Sequence, residues 1–172
     1  LLYLATANTL AEKLKRFALR ALSRGIEDKT IVPDDSLSTS LFELAANKDV
    51  DQYQREETYY TLAQLGNLED LPKFQKLLKE KDFFWRAVGF RCVLRMDGQG
   101  QLKNALEVLG SSRNNFKKSE IEEIVARISA FPALLPKVRE LLQRDNPFVL
   151  GVVIGVFAKL GTGQDALSMD KW

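Results

Sequence analysis

The amino-acid sequence predicts an all-α fold built from stacked helix pairs. Two observations predict it: a motif that recurs about every 32 residues, and apolar positions that follow helical spacing within each half of that period. Each half spans about 10–14 residues, which is the usual length of a helix in a globular protein and is long for a strand. The sequence therefore predicts two helices for every repeat.

The repeat is clearest in segments 71–80 and 135–144, which both begin with Leu-Pro-Lys and contain a Leu-Leu pair near the end. A degenerate copy lies between them. Two sets of apolar positions recur at intervals of 32: Phe74, Leu106 and Val138, and Leu77, Leu109 and Leu141. We expect the second set to be buried, each leucine between its own helix pair and the next.

The second half of each unit has the same period. Its segments 62–66, 93–97, 125–129 and 157–161 line up in steps of 31 or 32 residues. In one of them, the apolar positions 85, 88, 89, 92, 93 and 96 share one helical face.

The predicted helices follow in order along the chain, separated by turn residues. One long or two shorter helices cover 2–24, and a linker follows through residue 36. Later helices are predicted near 37–47, 52–65, 68–80, 83–96, 100–110, 118–130, 133–144 and 147–160. Gly66 and Gly161 suit helix ends, and Asp97-Gly98 predicts a break. We expect residues 1–36, the N-terminal segment and linker, to continue into the array of 37–172 as one domain.

Composition excludes several kinds of site. The 172 residues include no histidine and a single cysteine, Cys92, which removes the usual ligands of zinc and redox metals. We therefore predict no catalytic residue, metal or cofactor. The net charge of +2 is small for a nucleic-acid-binding protein.

No apolar run is long enough to cross a bilayer, and the lone cysteine fits a cytoplasmic location. The first residues do not resemble a signal peptide, and the missing initiator Met suggests a piece of a longer protein.

Residues 55–72 and 77–87 resemble HEAT repeats of the bacterial phycobilisome-lyase-like type. In that pattern a turn ends in Asp, an Arg lies near the start of the second helix, and Leu-Gly closes it; Arg55 and Arg86 match the arginine. Lys118 and Leu150 replace the arginine in the later repeats. The resemblance implies a right-handed, armadillo-like α-α superhelix of about four to five helix pairs.

The resemblance also implies a binding function, because this scaffold serves many unrelated recognition roles. We expect a non-enzymatic protein-interaction or scaffolding module with a concave surface formed by the second helices. The expected contact residues are Arg55, Arg86, Arg91, Arg95, Glu122, Glu123 and Arg127. Arg55 and Arg86 have an alternative role, bonding turn carbonyls within the fold. The alternative functions are a nucleic-acid-binding protein of the DNA-glycosylase type and a phycobilin-lyase-like chromophore-binding protein.

The C-terminal segment 148–158 is apolar around its whole circumference, so it needs cover on every side. Gly151 and Gly155 lie four apart and would allow close approach of another helix. We expect Phe148, Val152 and these glycines to be covered by further repeats or by a second copy of the chain. Cover by the N-terminal helices or the tail is the alternative.

The first long helix is basic and amphipathic. The cations Lys13, Arg16, Arg20 and Arg24 lie opposite an apolar set formed by Leu10, Leu14, Phe17 and Ala21. Such a helix can rest on an anionic membrane or on nucleic acid. We expect instead that its apolar set packs on the next helix.

Overall fold

The computed structural model describes residues 1–7, 11–111, 117–143 and 146–162, and these residues form helices and turns with no strand among them. The chain divides into two compact units, Leu1–Asp70 and Leu71–Trp172. The predicted end of the N-terminal segment and linker, residue 36, lies within the first unit. The α-helices are α1 (Leu2–Thr6), α2 (Glu12–Glu27), α3 (Asp35–Ala46), α4 (Gln52–Leu65), α5 (Leu71–Leu77), α6 (Phe83–Ser111), α7 (Lys118–Ser129), α8 (Leu135–Arg139) and α9 (Pro147–Leu160).

In the first unit, α4 packs against both α2 and α3, and α1 packs against α2. Leu19, Leu41 and Leu62 supply one fully buried side chain from each of the three longer helices. Two carboxylates begin helices by accepting backbone N–H groups: Asp34 at α3 and Asp51 at α4. The unit is therefore a small helical bundle centred on α4.

In the second unit, α5 packs on α6, and α7 packs on α9. Phe74 of α5 is fully buried, and a Cβ built at Gly89 of α6 would lie 2.9 Å from the Phe74 carbonyl oxygen. Glycine at this position allows the backbones of α5 and α6 to approach closely. A larger residue would force the two helices apart.

The two Leu-Pro-Lys segments have the same local structure. A 3₁₀ turn precedes each of them, Leu68–Asp70 before α5 and Pro132–Leu134 before α8. Proline then lies in the first turn of each α-helix. Proline has no backbone N–H, and in the first turn an N–H would have no acceptor within the helix. The predicted helix 133–144 is thus divided into α8 and a 3₁₀ segment, Glu140–Gln143.

The predicted break at Asp97-Gly98 is wrong. A single helix, α6, covers 29 residues from Phe83 to Ser111, including both predicted helices and the residues between them. A glycine inside a helix costs only about 1 kcal/mol relative to alanine. Burial of Leu94 and Leu102 on either side offsets such a cost, because each buried leucine contributes about 1.5–3 kcal/mol.

The predicted burial at the repeat positions is confirmed. Leu77, Leu109 and Leu141 are at most 8% exposed. The other three equivalents are fully buried: Phe74, Leu106 and Val138. All six residues lie in the second unit. The predicted helix 52–65 at α4 and the predicted helix 147–160 at α9 are also confirmed.

Candidate functional site

Two arginines of the predicted contact surface bond to backbone carbonyls within the fold. Arg55 at the start of α4 donates from Nε to the Ala45 carbonyl oxygen at 2.8 Å. Arg86 of α6 is 2% exposed, and its Nη1 donates to the carbonyl oxygens of Glu80 and Lys81 at 3.0 and 3.2 Å. The Arg86 guanidinium also lies 5.4 Å from the Phe83 ring centroid. The alternative role, in which these arginines hold turns, is the one the geometry favours.

The other predicted contact residues are on α6 and α7. Arg91 and Arg95 are exposed on α6, and Glu122 and Glu123 are exposed on α7. Arg127 forms an ion pair with Glu123 at 2.5 Å and keeps only 14% of its side-chain surface exposed. Lys118 lies 3.7 Å from Glu122. On α7 these charges therefore pair along the same helix, which is the usual pattern of a solvated helix face.

Most of the apolar surface of α9 is covered within the chain. Phe148 and Val152 are at most 2% exposed. Cβ atoms built at Gly151 and Gly155 would meet Ile121 Cδ1 at 3.3 Å and Val125 Cγ2 at 2.6 Å, both on α7. The expected cover by a further repeat or a second copy is therefore replaced at these positions by α7 of the same chain. Ile154, at 52% exposure, remains open on α9.

The first long helix buries a different face from the one predicted. Ala18, Leu19 and Leu22 of α2 are buried, whereas Leu14 and Phe17 are 53% and 51% exposed. Ala21 is exposed as well, and Leu10 lies outside the described residues. The expectation that this apolar set packs on the next helix is wrong for the three described members. We call Leu14, Phe17 and Ala21 the α2 ridge.

The cations of α2 lie beside this ridge. Arg20 pairs with Glu57 of α4, its Nε donating to Oε1 at 2.6 Å, and this contact raises the pKa of Arg20 above its ordinary value. Arg16 Cζ lies 5.6 Å from the Tyr53 ring centroid, and Lys13 Nζ lies 6.0 Å from that of Phe17. Such distances are within the range of cation–π contacts.

Arg24 differs from the other three cations. It is exposed, and within the described residues it makes no ion pair, side-chain hydrogen bond or ring contact. It follows Phe17 by seven residues and therefore extends the same side of the helix by two turns. A charge in this position is available to an external acceptor.

A groove of about 620 Å³ lies in the first unit between α1, the start of α2 and the turn that follows α3. Its apolar lining includes Tyr3 and Val50, and its carboxylates are Glu12, Glu43 and Asp49. Glu12 is paired with Lys15 at 2.8 Å. The groove therefore has a mixed lining with an acidic excess.

Metal-binding and membrane-spanning features are absent from the described part of the chain. Cys92 is fully buried, and no group of three or more potential ligand side chains is close enough to hold a metal ion. None of the helices described combines the length and apolar character needed to span a bilayer.

The chain matches no protein-family model, no curated protein and no solved structure.

The α2 ridge is the surface that sequence reasoning missed. Both flanks of α2 are apolar, with Leu14 and Phe17 on one and Leu19 and Leu22 on the other. Only one flank can face α4, and periodicity alone does not choose between them. A charged residue usually marks the exposed side of a helix, but the Lys15 side chain is only 12% exposed and so does not mark it here.

Proposed function

We propose that this chain is a non-enzymatic protein-interaction module of HEAT-type helix pairs arranged as a right-handed superhelix, and that the α2 ridge is its binding surface. The burial of all six repeat positions supports the helix-pair part of the proposal. The exposure of Leu14 and Phe17 supports the binding part. A cytoplasmic location fits the single cysteine.

The exposed Phe17 carries the proposal. Burial of the exposed half of the Phe17 side chain would contribute about 0.7–1.5 kcal/mol, half of the value for a fully buried phenylalanine. Leu14 lies one turn away with a similar exposure, so the two form a contiguous apolar surface. Apolar surface of this kind, bordered by charges, is typical of protein-interaction sites.

The alternative nucleic-acid function loses three of its five arginines. It requires cations from several repeats to converge on one surface, and Arg55 and Arg86 are engaged with turn carbonyls instead. Arg127 is engaged with Glu123. The cations that stay exposed on α2 border apolar side chains, which suits a protein surface better than a phosphate backbone.

Site-specific crosslinking tests the proposal. A photoreactive phenylalanine analogue replaces Phe17 in the full chain in cells, and the same analogue replaces Ile154 as a control with equal exposure on α9. We expect ultraviolet light to give discrete protein adducts from position 17 and none from position 154. Equal adducts at both positions, or none at position 17, would overturn the proposal.

A further inference from the structure

From the spacing of the α2 ridge, and on the basis of the proposed function, we infer that its partner presents an acidic, amphipathic α-helix. Leu14, Phe17 and Ala21 are separated by three and then four residues. Alternation of three and four is the spacing of a and d positions in a two-helix seam. The ridge thus presents two turns of one side of such a seam, with Leu14 and Phe17 about half exposed.

The ridge exists because the apolar arc of α2 is wider than its contact with the unit. At about 100° per residue, Leu14, Phe17 and Ala21 span an arc of about 60°. This arc adjoins the one that holds the buried Ala18 and Leu22. A helix laid beside α2 would extend the existing packing outward without any rearrangement of the unit.

The charges beside the ridge select an acidic helix. If Leu14 and Ala21 are a positions and Phe17 is a d position, Lys13 and Arg20 occupy the g positions. Arg20 is already paired with Glu57 of α4, so Lys13 is the g-position cation that can face a partner's charges. Arg24 occupies the next d position, at the end of the seam. Of the five cations of α2, Lys15 is paired with Glu12 and Arg20 with Glu57 of α4, which leaves Lys13, Arg16 and Arg24. Glutamates at the flanking positions of the partner would complement these cations.

The arrangement fits a helix better than a membrane. Lys13 lies on the side of α2 opposite its buried residues, and Arg24 extends the line of the ridge by two turns. The ridge spans an arc of only about 60°, narrower than the apolar face of about 100° or more that an amphipathic helix usually buries. A partner helix that lies alongside α2 contacts the ridge with its apolar side and the cations with its charged flanking positions.

A second copy of the chain is disfavoured by the same charges. Pairing two α2 helices would bring together two surfaces with the same excess of positive charge, and like charges in an interface oppose association. The ridge is also small. We therefore expect a Kd in about the micromolar range, at the weak end for specific interfaces.

Fluorescence anisotropy with the full chain tests the inference. The probe is a labelled helical peptide of about three heptads with Leu at a and d and Glu at e and g, and a second peptide carries Lys in place of every Glu. We expect the acidic peptide to bind at least tenfold more tightly than the basic one. The affinity should fall with added salt, because exposed charge pairs are screened.

Three variants give the controls. Phe17→Ala should weaken binding of the acidic peptide at least fivefold, and the matched Ile154→Ala should leave it unchanged, since both side chains are about half exposed. Lys13→Glu combined with Arg24→Glu should reverse the peptide preference. Circular dichroism and melting temperatures establish that each variant is folded.

Four outcomes would overturn the inference. These are equal binding of both peptides, unchanged binding by the folded Phe17→Ala variant, tighter binding of phosphatidylserine vesicles or duplex DNA than of the acidic peptide, and a dimer in light scattering that Phe17→Ala dissociates. Crosslinks from position 17 without peptide binding would leave the proposed function standing and remove only the acidic helix. Absence of the crosslinks would remove the proposed function itself.

Discussion

Gly155 of α9 lies against Val125 of α7 so closely that a Cβ added to the glycine would come within 2.6 Å of Val125 Cγ2. One turn earlier on α9, Gly151 faces Ile121, but there the added Cβ would lie 3.3 Å from Ile121 Cδ1. The two glycines thus share one face and one neighbouring helix and differ in the space they leave. At both positions the absence of a side chain allows α7 and α9 to approach closely.

Gly155→Ala is expected to destabilise the protein by about 1–3 kcal/mol, the usual cost of overpacking a well-packed core. Gly151→Ala should cost less, since its Cβ meets only the end of the Ile121 side chain, and the gain in helix propensity of about 1 kcal/mol offsets part of the strain. Urea unfolding of the two variants measures the difference. Equal stabilities would mean that the α7–α9 contact is looser than described.

Arg86→Ala should lower the free energy of unfolding by about 1.5–3 kcal/mol, the range for hydrogen bonds made by charged groups. The variant leaves the Glu80 and Lys81 carbonyl oxygens without the Nη1 donor. Arg91→Ala is the matched control, an exposed arginine on the same helix, and should change stability by no more than about 0.5 kcal/mol. If the two arginines prove equally dispensable in urea unfolding, Arg86 does not hold the turn.

Burial was predicted well at positions where the apolar pattern fits only one helical face. Leu77, Leu109 and Leu141 recur at fixed intervals inside clear apolar stripes, and all three are buried. The break at Asp97-Gly98 was predicted from the turn preference of these two residues and from the end of the repeat segment 93–97. It failed because packing on both sides of a glycine can outweigh its weak helix propensity.

The candidate site was harder to predict than the fold. Arg86 and Arg91 are both arginines on the apolar-patterned α6, yet one is buried and the other exposed. Burial of Arg86 depends on where two carbonyl groups of the preceding turn come to lie, which is a property of the folded backbone. On α2 the choice between two apolar flanks depends likewise on the position of α4.

Leu109→Ala is expected to cost about 2–5 kcal/mol, the range for truncation of a buried leucine. Leu109 is 1% exposed near the end of α6, in the middle copy of the repeat. Glu107→Ala on the exposed side of the same turn should change stability by no more than about 0.5 kcal/mol. A loss below about 1 kcal/mol for Leu109→Ala would show that this leucine is not a core equivalent of Leu77 and Leu141.

Asp34 at the start of α3 should make stability depend on pH in the acid range. Its Oδ1 accepts from Ser36 Oγ at 2.7 Å and from the Leu37 N–H at 2.9 Å, and these bonds, the Ser36 bond first, lower the pKa of Asp34. A carboxyl with a lowered pKa in the folded state stabilises the protein above its unfolded pKa of about 3.9. That contribution is lost as the pH falls through the lowered folded value.

Comparison with Asp34→Asn isolates this effect, because asparagine keeps an N-cap acceptor for the Leu37 N–H but does not titrate. The expected result is a higher melting temperature for the unmodified protein at pH 6 and a difference that shrinks as the pH falls below about 4. Ser36→Ala should reduce the pH dependence, since it removes the largest cause of the lowered pKa. The difference in melting temperature between the two proteins could instead stay constant from pH 6 into the acid range. In that case the charge of Asp34 does not contribute to the stability of α3.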